Sequence, residues 1–195
     1  MIVDMPAEEN HELGRDGVFL FKRWLEATTF LDLSWNAYGS AALCEVKHMG
    51  GVKTYDLAGM FLTDGMPPVV VECKRYQYVG GQAAEFEEFL AIAYGTSIWE
   101  RSNGMRDKNR NYIWATTHPF SQTNWSKLTT PTSIEGAVNK YSQYVGDAPF
   151  DHSLAQTLSE RIWLLVLSEK QEQIMLTSKE VLKVWKSLKR KQDQS

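Results

Sequence analysis

Asp56, Glu72 and Lys74 are the residues of this chain whose types and spacing best suit chemistry. Asp56 falls in one apolar, strand-like run. Turn chemistry follows at Thr63-Asp64-Gly65-Met66-Pro67-Pro68, and the next apolar run reads Val69-Val70-Val71-Glu72-Cys73-Lys74. Side chains alternate faces along a strand, so Val70, Glu72 and Lys74 share one face, and Val69, Val71 and Cys73 share the other. Thr54, Asp56 and Ala58 likewise share a face of the preceding strand. Pairing through the turn near Gly65 brings Asp56 and Glu72 together. Two converging carboxylates are hard oxygen ligands for Mg²⁺, an ion that keeps several of its own waters. Such an ion polarises a phosphate and helps generate hydroxide, while a lysine beside it positions the attacking water or offsets developing charge. Lysine suits that role as a compact cation on a reaching stem. The competing reading is a surface ion pair between adjacent strands, contributing about 0–1 kcal/mol. That reading fits poorly with two charges closing so apolar a run, because charged groups near a core need a reason to be there.

The elements that must hold these groups follow from hydrophobic period. Residues around 12–27 read as a first helix, with Leu13, Gly17, Leu20 and Trp24 at helical spacing and Phe21 widening the stripe. Residues 43–48 read as a short strand closed by Met49-Gly50-Gly51, residues 52–62 as a second strand, and residues 69–74 as a third. The third is continuous in its apolar residues until Glu72, as expected of a strand covered on both faces. Gly80-Gly81 leads into a helix over about 82–94 that turns Phe86, Phe89, Leu90 and Ala93 inward, and residues 111–117 form a fourth strand. Helices are expected near 133–144, 154–175 and 178–191. The order α-β-β-β-α-β, followed by helices, predicts an α/β fold with a mixed central sheet flanked by helices.

A chain of 195 residues fits one domain, with a core over about 12–120 and a C-terminal helical extension over about 133–191. A net charge of −3 argues against a surface coated with basic residues for non-specific nucleic-acid binding, though it leaves room for a local basic groove. Cys44 and Cys73 form neither a disulfide framework nor a metal-binding spacing, which points to a reducing, cytoplasmic setting. No apolar run approaches the roughly 18 residues of a membrane span, so no membrane partner is expected. The opening Met1-Ile2-Val3-Asp4-Met5-Pro6 lacks the basic and then apolar character of a signal peptide.

With Asp56, Glu72 and Lys74 in a strand-turn-strand context followed by a helix, residues 12–118 resemble the PD-(D/E)XK nuclease superfamily. That superfamily includes restriction endonucleases, Holliday-junction resolvases, Mrr-like restriction nucleases and RecB-type exonucleases. The resemblance implies a restriction-endonuclease-like αβββαβ core and Asp56, Glu72 and Lys74 as the catalytic trio. It implies Mg²⁺, with Mn²⁺ as a substitute, held by Asp56, Glu72 and the backbone carbonyl of Cys73. The implied reaction is phosphodiester hydrolysis, with DNA expected ahead of RNA and a restriction or anti-phage defence role.

Gln82 followed by Phe86 is similar to the glutamine and aromatic pair that opens the corresponding helix in RecB-type nucleases. There Gln82 would contact water or phosphate; the alternative is an ordinary helix-start glutamine. Tyr55 stands where the superfamily's proline would be. Gly14-Arg15-Asp16-Gly17-Val18 resembles a resolvase-like Gly-Arg-x-Gly-Glu opening, with Val18 in place of the glutamate. Asp16 or Glu12 would then supply the additional metal-site acid, or both are solvated acids favoured by the helix dipole. Residues 113–121 resemble the fourth-strand segment of Mrr-like nucleases and make His118 a candidate general base, with a structural histidine as the alternative.

Arg75, together with Arg101, Arg106, Lys108 and Arg110, is the candidate phosphate-binding rim, flanked by Trp99 and Tyr112. A solvated loop is the plainer reading of that segment. A second basic cluster, Lys183, Lys186, Lys189, Arg190 and Lys191, also suits a helix C-terminus. Specificity is expected from a homo-oligomer or a protein partner. Two rival functions remain open: a catalytically inactive nucleic-acid-binding or assembly subunit retaining the nuclease fold, and an α/β scaffold unrelated to nucleic acid.

Overall fold

Val69, Val71, Ile113 and Ala115 face one way and Val70, Tyr112 and Trp114 the other, so the middle of the protein is a sheet buried on both sides. The computed structural model describes residues 7–75, 81–104 and 109–188. In chain order these form α1 (Ala7–Thr28), β1 (Leu31–Asn36), α2 (Ala37–Ser40), β2 (Glu45–His48), β3 (Gly51–Thr54), β4 (Leu57–Phe61) and β5 (Pro68–Lys74). Then come α3 (Gln82–Ser102), β6 (Asn111–Thr116), α4 (Pro131–Lys140), α5 (His152–Ser159), β7 (Ile162–Val166), α6 (Glu169–Glu172) and α7 (Ser178–Leu188).

The sheet is mixed, in the order β1-β4-β5-β6-β7. The β1/β4 and β4/β5 pairs are antiparallel, and β5/β6 and β6/β7 are parallel. β2 and β3 form a separate two-stranded ribbon. Val18, Phe21 and Leu25 of α1 cover one face of the sheet. Phe86, Phe89, Leu90 and Tyr94 of α3, backed by Ile134 of α4 and Leu154 of α5, cover the other. Each large apolar side chain buried in this way stabilises the fold by about 1.5–3 kcal/mol. Set the ribbon and α2 aside, and α1, β1, β4, β5, α3 and β6 follow one another as αβββαβ.

Local contacts explain how α1 is seated. Glu26 is buried, accepts a hydrogen bond from the Leu33 N–H at 3.0 Å and pairs with Lys22 at 2.9 Å. The Trp185 indole N–H donates to the Glu26 carbonyl at 2.9 Å and ties α7 against α1. Gly59 lets β4 lie against β1, since a Cβ there would run into the Asp32 carbonyl and the Leu33 backbone.

Four expectations need correction. Strand β1 lies in a stretch for which no element was predicted, with Leu31 and Leu33 alternating inward over only six residues. The expected strand at 43–48 is β2, but it pairs with β3 in the ribbon and not in the central sheet. The expected strand over 52–62 is two strands, broken at Tyr55 and Asp56 where the chain leaves the ribbon and enters the sheet. The expected helix over 154–175 is α5, β7 and α6; Ile162–Val166 pairs with β6, so the C-terminal extension is not wholly helical. Two boundaries also differ: α3 continues to Ser102, and α4 ends at Lys140. Lys189, Arg190 and Lys191 lie outside the described residues. Among the described residues, no helix is long and apolar enough to cross a membrane.

Candidate active site

β4 begins at Leu57, opposite Val71, so β5 runs on toward Lys74 with no ladder partner on its β4 side. Asp56 fills that gap with its side chain. Its Oδ2 accepts a hydrogen bond from the Cys73 N–H at 2.7 Å, and its backbone carbonyl accepts from the Ala37 N–H at 2.9 Å. Asp56 is therefore fixed beside the end of β5 from two directions. On the other side of β5, the Lys74 carbonyl accepts from the Thr117 N–H at 3.0 Å. Strand alternation consequently turns the Cys73 carbonyl toward the β4 side, next to Asp56.

Glu72 and Lys74 face α3, as alternation predicts. Glu72 is buried and receives two ammonium groups: Lys74 Nζ lies 3.1 Å from its Oε1 and Lys53 Nζ 3.1 Å from its Oε2. Lys74 in turn reaches Glu85 at 2.8 Å and lies over the Trp114 ring at 5.3 Å. Lys53, Glu72, Lys74 and Glu85 thus form a chain of alternating charge. It lines a cavity of about 210 Å³ between the sheet, α3 and the ribbon.

The electrostatics follow from this crowding. Burial and then the Glu72 charge raise the Asp56 pKa to about 6, although the Cys73 N–H, Lys74 and Lys53 pull it back. Burial alone would lower the Lys74 pKa, but Glu72 and Glu85 outweigh it and hold it above its ordinary value. Lys74 is therefore a fixed cation at neutral pH and not a proton acceptor. Burial, with the Asp56 and Glu72 charges, pushes the Cys73 thiol well up, so it is neither a nucleophile nor a thiolate ligand.

Among the described residues, no three His, Cys, Asp or Glu side chains converge as a metal cluster. The side-chain donors that a metal would find here are the Asp56 and Glu72 pair, with the Cys73 carbonyl as a third oxygen. That set fits a hard divalent cation that retains its waters. The raised Asp56 pKa marks the cost of burying this carboxylate and, second to that, of the Glu72 charge beside it, a cost that a cation would relieve.

The other sequence candidates are placed as follows. Gln82 is fully buried; the Thr116 hydroxyl donates to its Oε1 at 2.7 Å, and its Nε2 donates to the His118 carbonyl at 3.3 Å. Its amide thus locks the start of α3 to the end of β6. His118 supplies that carbonyl, and its buried Nε2 has no hydrogen-bond partner among the described residues. Val18 is 2% exposed in the apolar core. Asp16 is exposed and lines a different groove, between α1 and α7. Glu12 lies in α1, and its side chain is outside the described set.

Among the described residues, the rim arginines Arg75, Arg101 and Arg110 do not converge. Arg75 faces α1, where a Cβ on Gly17 would meet its Cβ at 2.8 Å, and its guanidinium is 3.9 Å from Glu172. Arg110 pairs with Glu100 at 3.1 Å next to Asn111, whose β5 partner is Val69, so it lies at the end of the sheet away from Lys74. Arg101 pairs with Asp151 at 3.1 Å. Tyr112 is fully buried, and Trp99 lies beneath Lys47 at 5.5 Å. Arg106 and Lys108 lie outside the described residues.

Sequence reasoning missed Lys53 and Glu85. Glu85, one helical turn after Gln82, had a signal; Lys53 did not, because alternation puts it on the face of Tyr55, opposite that of Asp56.

No protein-family model matches the chain, and no curated protein matches it. Among solved structures it is similar to the Moraxella osloensis Cap4 SAVED/CARF-domain containing receptor, at 14% identity and a TM-score of 0.35. The match covers 82% of this chain and 34% of that one, so the chain spans about a third of the receptor's length. A likeness of this degree carries no argument about fold or function.

Proposed function

We propose that this protein is a Mg²⁺-dependent nuclease that hydrolyses phosphodiester bonds, with DNA ahead of RNA as substrate. The observation that carries the proposal is Asp56 held against the Cys73 N–H at 2.7 Å beside Glu72, with Lys74 fixed as a cation 3.1 Å from Glu72. The αβββαβ order of the sheet and its covering helices also supports it, because that order is the core the PD-(D/E)XK resemblance implies.

Asp56, Glu72 and the Cys73 carbonyl are the groups that would hold the ion. When bound, a divalent cation supplies Lewis acidity at the scissile phosphate and lowers the pKa of a coordinated water. The protein's own residues do the rest. The Cys73 N–H orients Asp56, so the carboxylate is set before substrate arrives. Lys74 stays charged and offsets negative charge that develops on the phosphate oxygens. Gln82 acts one layer back, holding the β6 end and the start of α3 in register around the cavity. The resemblance extends the proposal to restriction or anti-phage defence, with a homo-oligomer or a protein partner supplying specificity.

A second reading has its own observation. Val18 is packed in the core where the resemblance places a glutamate, and Asp16 opens onto another groove. That favours a catalytically inactive nucleic-acid-binding or assembly subunit. Calorimetry with Mn²⁺ separates the two. A nuclease centre binds Mn²⁺ and loses the site on Asp56→Ala; no binding by the wild type favours the inactive subunit.

A further inference from the structure

Lys53 occupies an unusual position for a lysine. Its Nζ lies 3.2 Å from Glu72 Oε1 and 3.1 Å from Glu72 Oε2, straddling the carboxylate that would hold the metal. It comes from β3 of the ribbon, not from the central sheet, and reaches over the Tyr55 ring at 5.8 Å. Lys74 already balances Glu72 and is itself held by Glu85. Among the described residues Lys53 forms its ion pair with Glu72, and it retains 30% of its side-chain exposure. Of the two cations, it is the one able to leave.

A divalent ion bound by Asp56 and Glu72 would need the Glu72 oxygens that Lys53 now contacts. Two positive charges more at that spot would repel an ammonium within contact distance. The long lysine stem allows Lys53 to swing away while its backbone stays in the ribbon. A released ammonium beside a phosphate-binding ion is suited to a phosphate oxygen.

We infer that Lys53 is a displaceable counter-ion of Glu72, which guards the carboxylate in the metal-free protein and passes to a nucleic-acid phosphate when a divalent ion enters. The ribbon is then the part of the fold that couples metal occupancy to substrate contact. This inference rests on the metal site proposed above.

Two readouts test it in the intact protein, with circular dichroism confirming that Lys53→Met and Lys53→Arg are folded. In calorimetry with Mn²⁺ alone, Lys53→Met binds about 5–10-fold more tightly than the wild type, because the competitor is gone. With Ca²⁺ as the divalent ion and a short fluorescein-labelled DNA duplex as probe, Lys53→Met binds more weakly. Its slope of log affinity against log salt falls by about one, and Lys53→Arg restores the slope. Mn²⁺ affinity that is unchanged or weaker in Lys53→Met, in a wild type that does bind Mn²⁺, overturns the inference and leaves the nuclease reading standing. An unchanged salt slope, or no duplex binding by the wild type, overturns the transfer to phosphate. Absence of Mn²⁺ binding in every variant removes the metal site, and both proposals fall together.

Discussion

Replacing Asp56 by Asn should make the protein more stable at neutral pH and abolish part of its pH dependence. Burial and the neighbouring Glu72 raise the Asp56 pKa from 3.8 to about 6 in the folded protein. An acid with a raised folded-state pKa binds more protons folded than unfolded between those two values, so stability falls as pH rises through that window. The rise corresponds to up to about 3 kcal/mol lost above about pH 7 and regained below about pH 4. Asn keeps an oxygen that accepts from the Cys73 N–H but carries no charge. Urea denaturation from about pH 4 to about pH 8, on wild type and Asp56→Asn in parallel, reads the titration of Asp56 together with its coupling to Glu72, because the titrations of distant groups cancel. Asp56→Asn should exceed the wild type by up to about 3 kcal/mol at about pH 8, with the gap closing toward about pH 4. Saturating Mn²⁺ at about pH 8 should stabilise the wild type alone and narrow the gap. A gap that does not change with pH, or an Asp56→Asn protein less stable than wild type at about pH 8, refutes the reasoning.

Gln82→Leu leaves the Thr116 hydroxyl and His118 carbonyl without their buried amide partner, and should cost about 1–3 kcal/mol in urea denaturation. Because the amide faces those groups and not the carboxylates, its Mn²⁺ affinity by calorimetry should equal the wild type's. Gly59→Ala forces β1 away from β4 at the Asp32 carbonyl and should cost about 3 kcal/mol or more, read by the shift in urea midpoint.

The placement of Glu72 and Lys74 was more legible in the sequence than the frame around them. Strand alternation placed Glu72 and Lys74 on one face of β5 and Cys73 on the other, because a seven-residue run of Pro68–Lys74 has only one way to present them. Asp56 was found, but its setting was not. The run from Val52 to Leu62 reads as one strand, yet its halves pair with different partners, and register with a distant partner leaves no local mark. The same limit hid β7. Ile162-Trp163-Leu164-Leu165-Val166 is a short apolar run whose period suits a helix or a buried strand equally, and pairing with β6 decides between them. The rim read from the sequence does not hold together at its described arginines. Two of its residues lie at opposite ends of the sheet, each with its own acid: Arg75 near Glu172 and Arg110 with Glu100. Lys53 was overlooked because its partner Glu72 is nineteen residues away and in a different sheet.

Metal-dependent cleavage is the most direct test of the central claim. Wild-type protein and Lys74→Met are incubated with DNA and with RNA in Mg²⁺, in Mn²⁺ and in excess EDTA, and products are resolved by denaturing electrophoresis. The account predicts cleavage by the wild type with either ion and none in EDTA, with Lys74→Met slower by roughly 10²–10³-fold. Failure of the wild type to cut any DNA or RNA, or cleavage that continues unchanged in Lys74→Met, would contradict it.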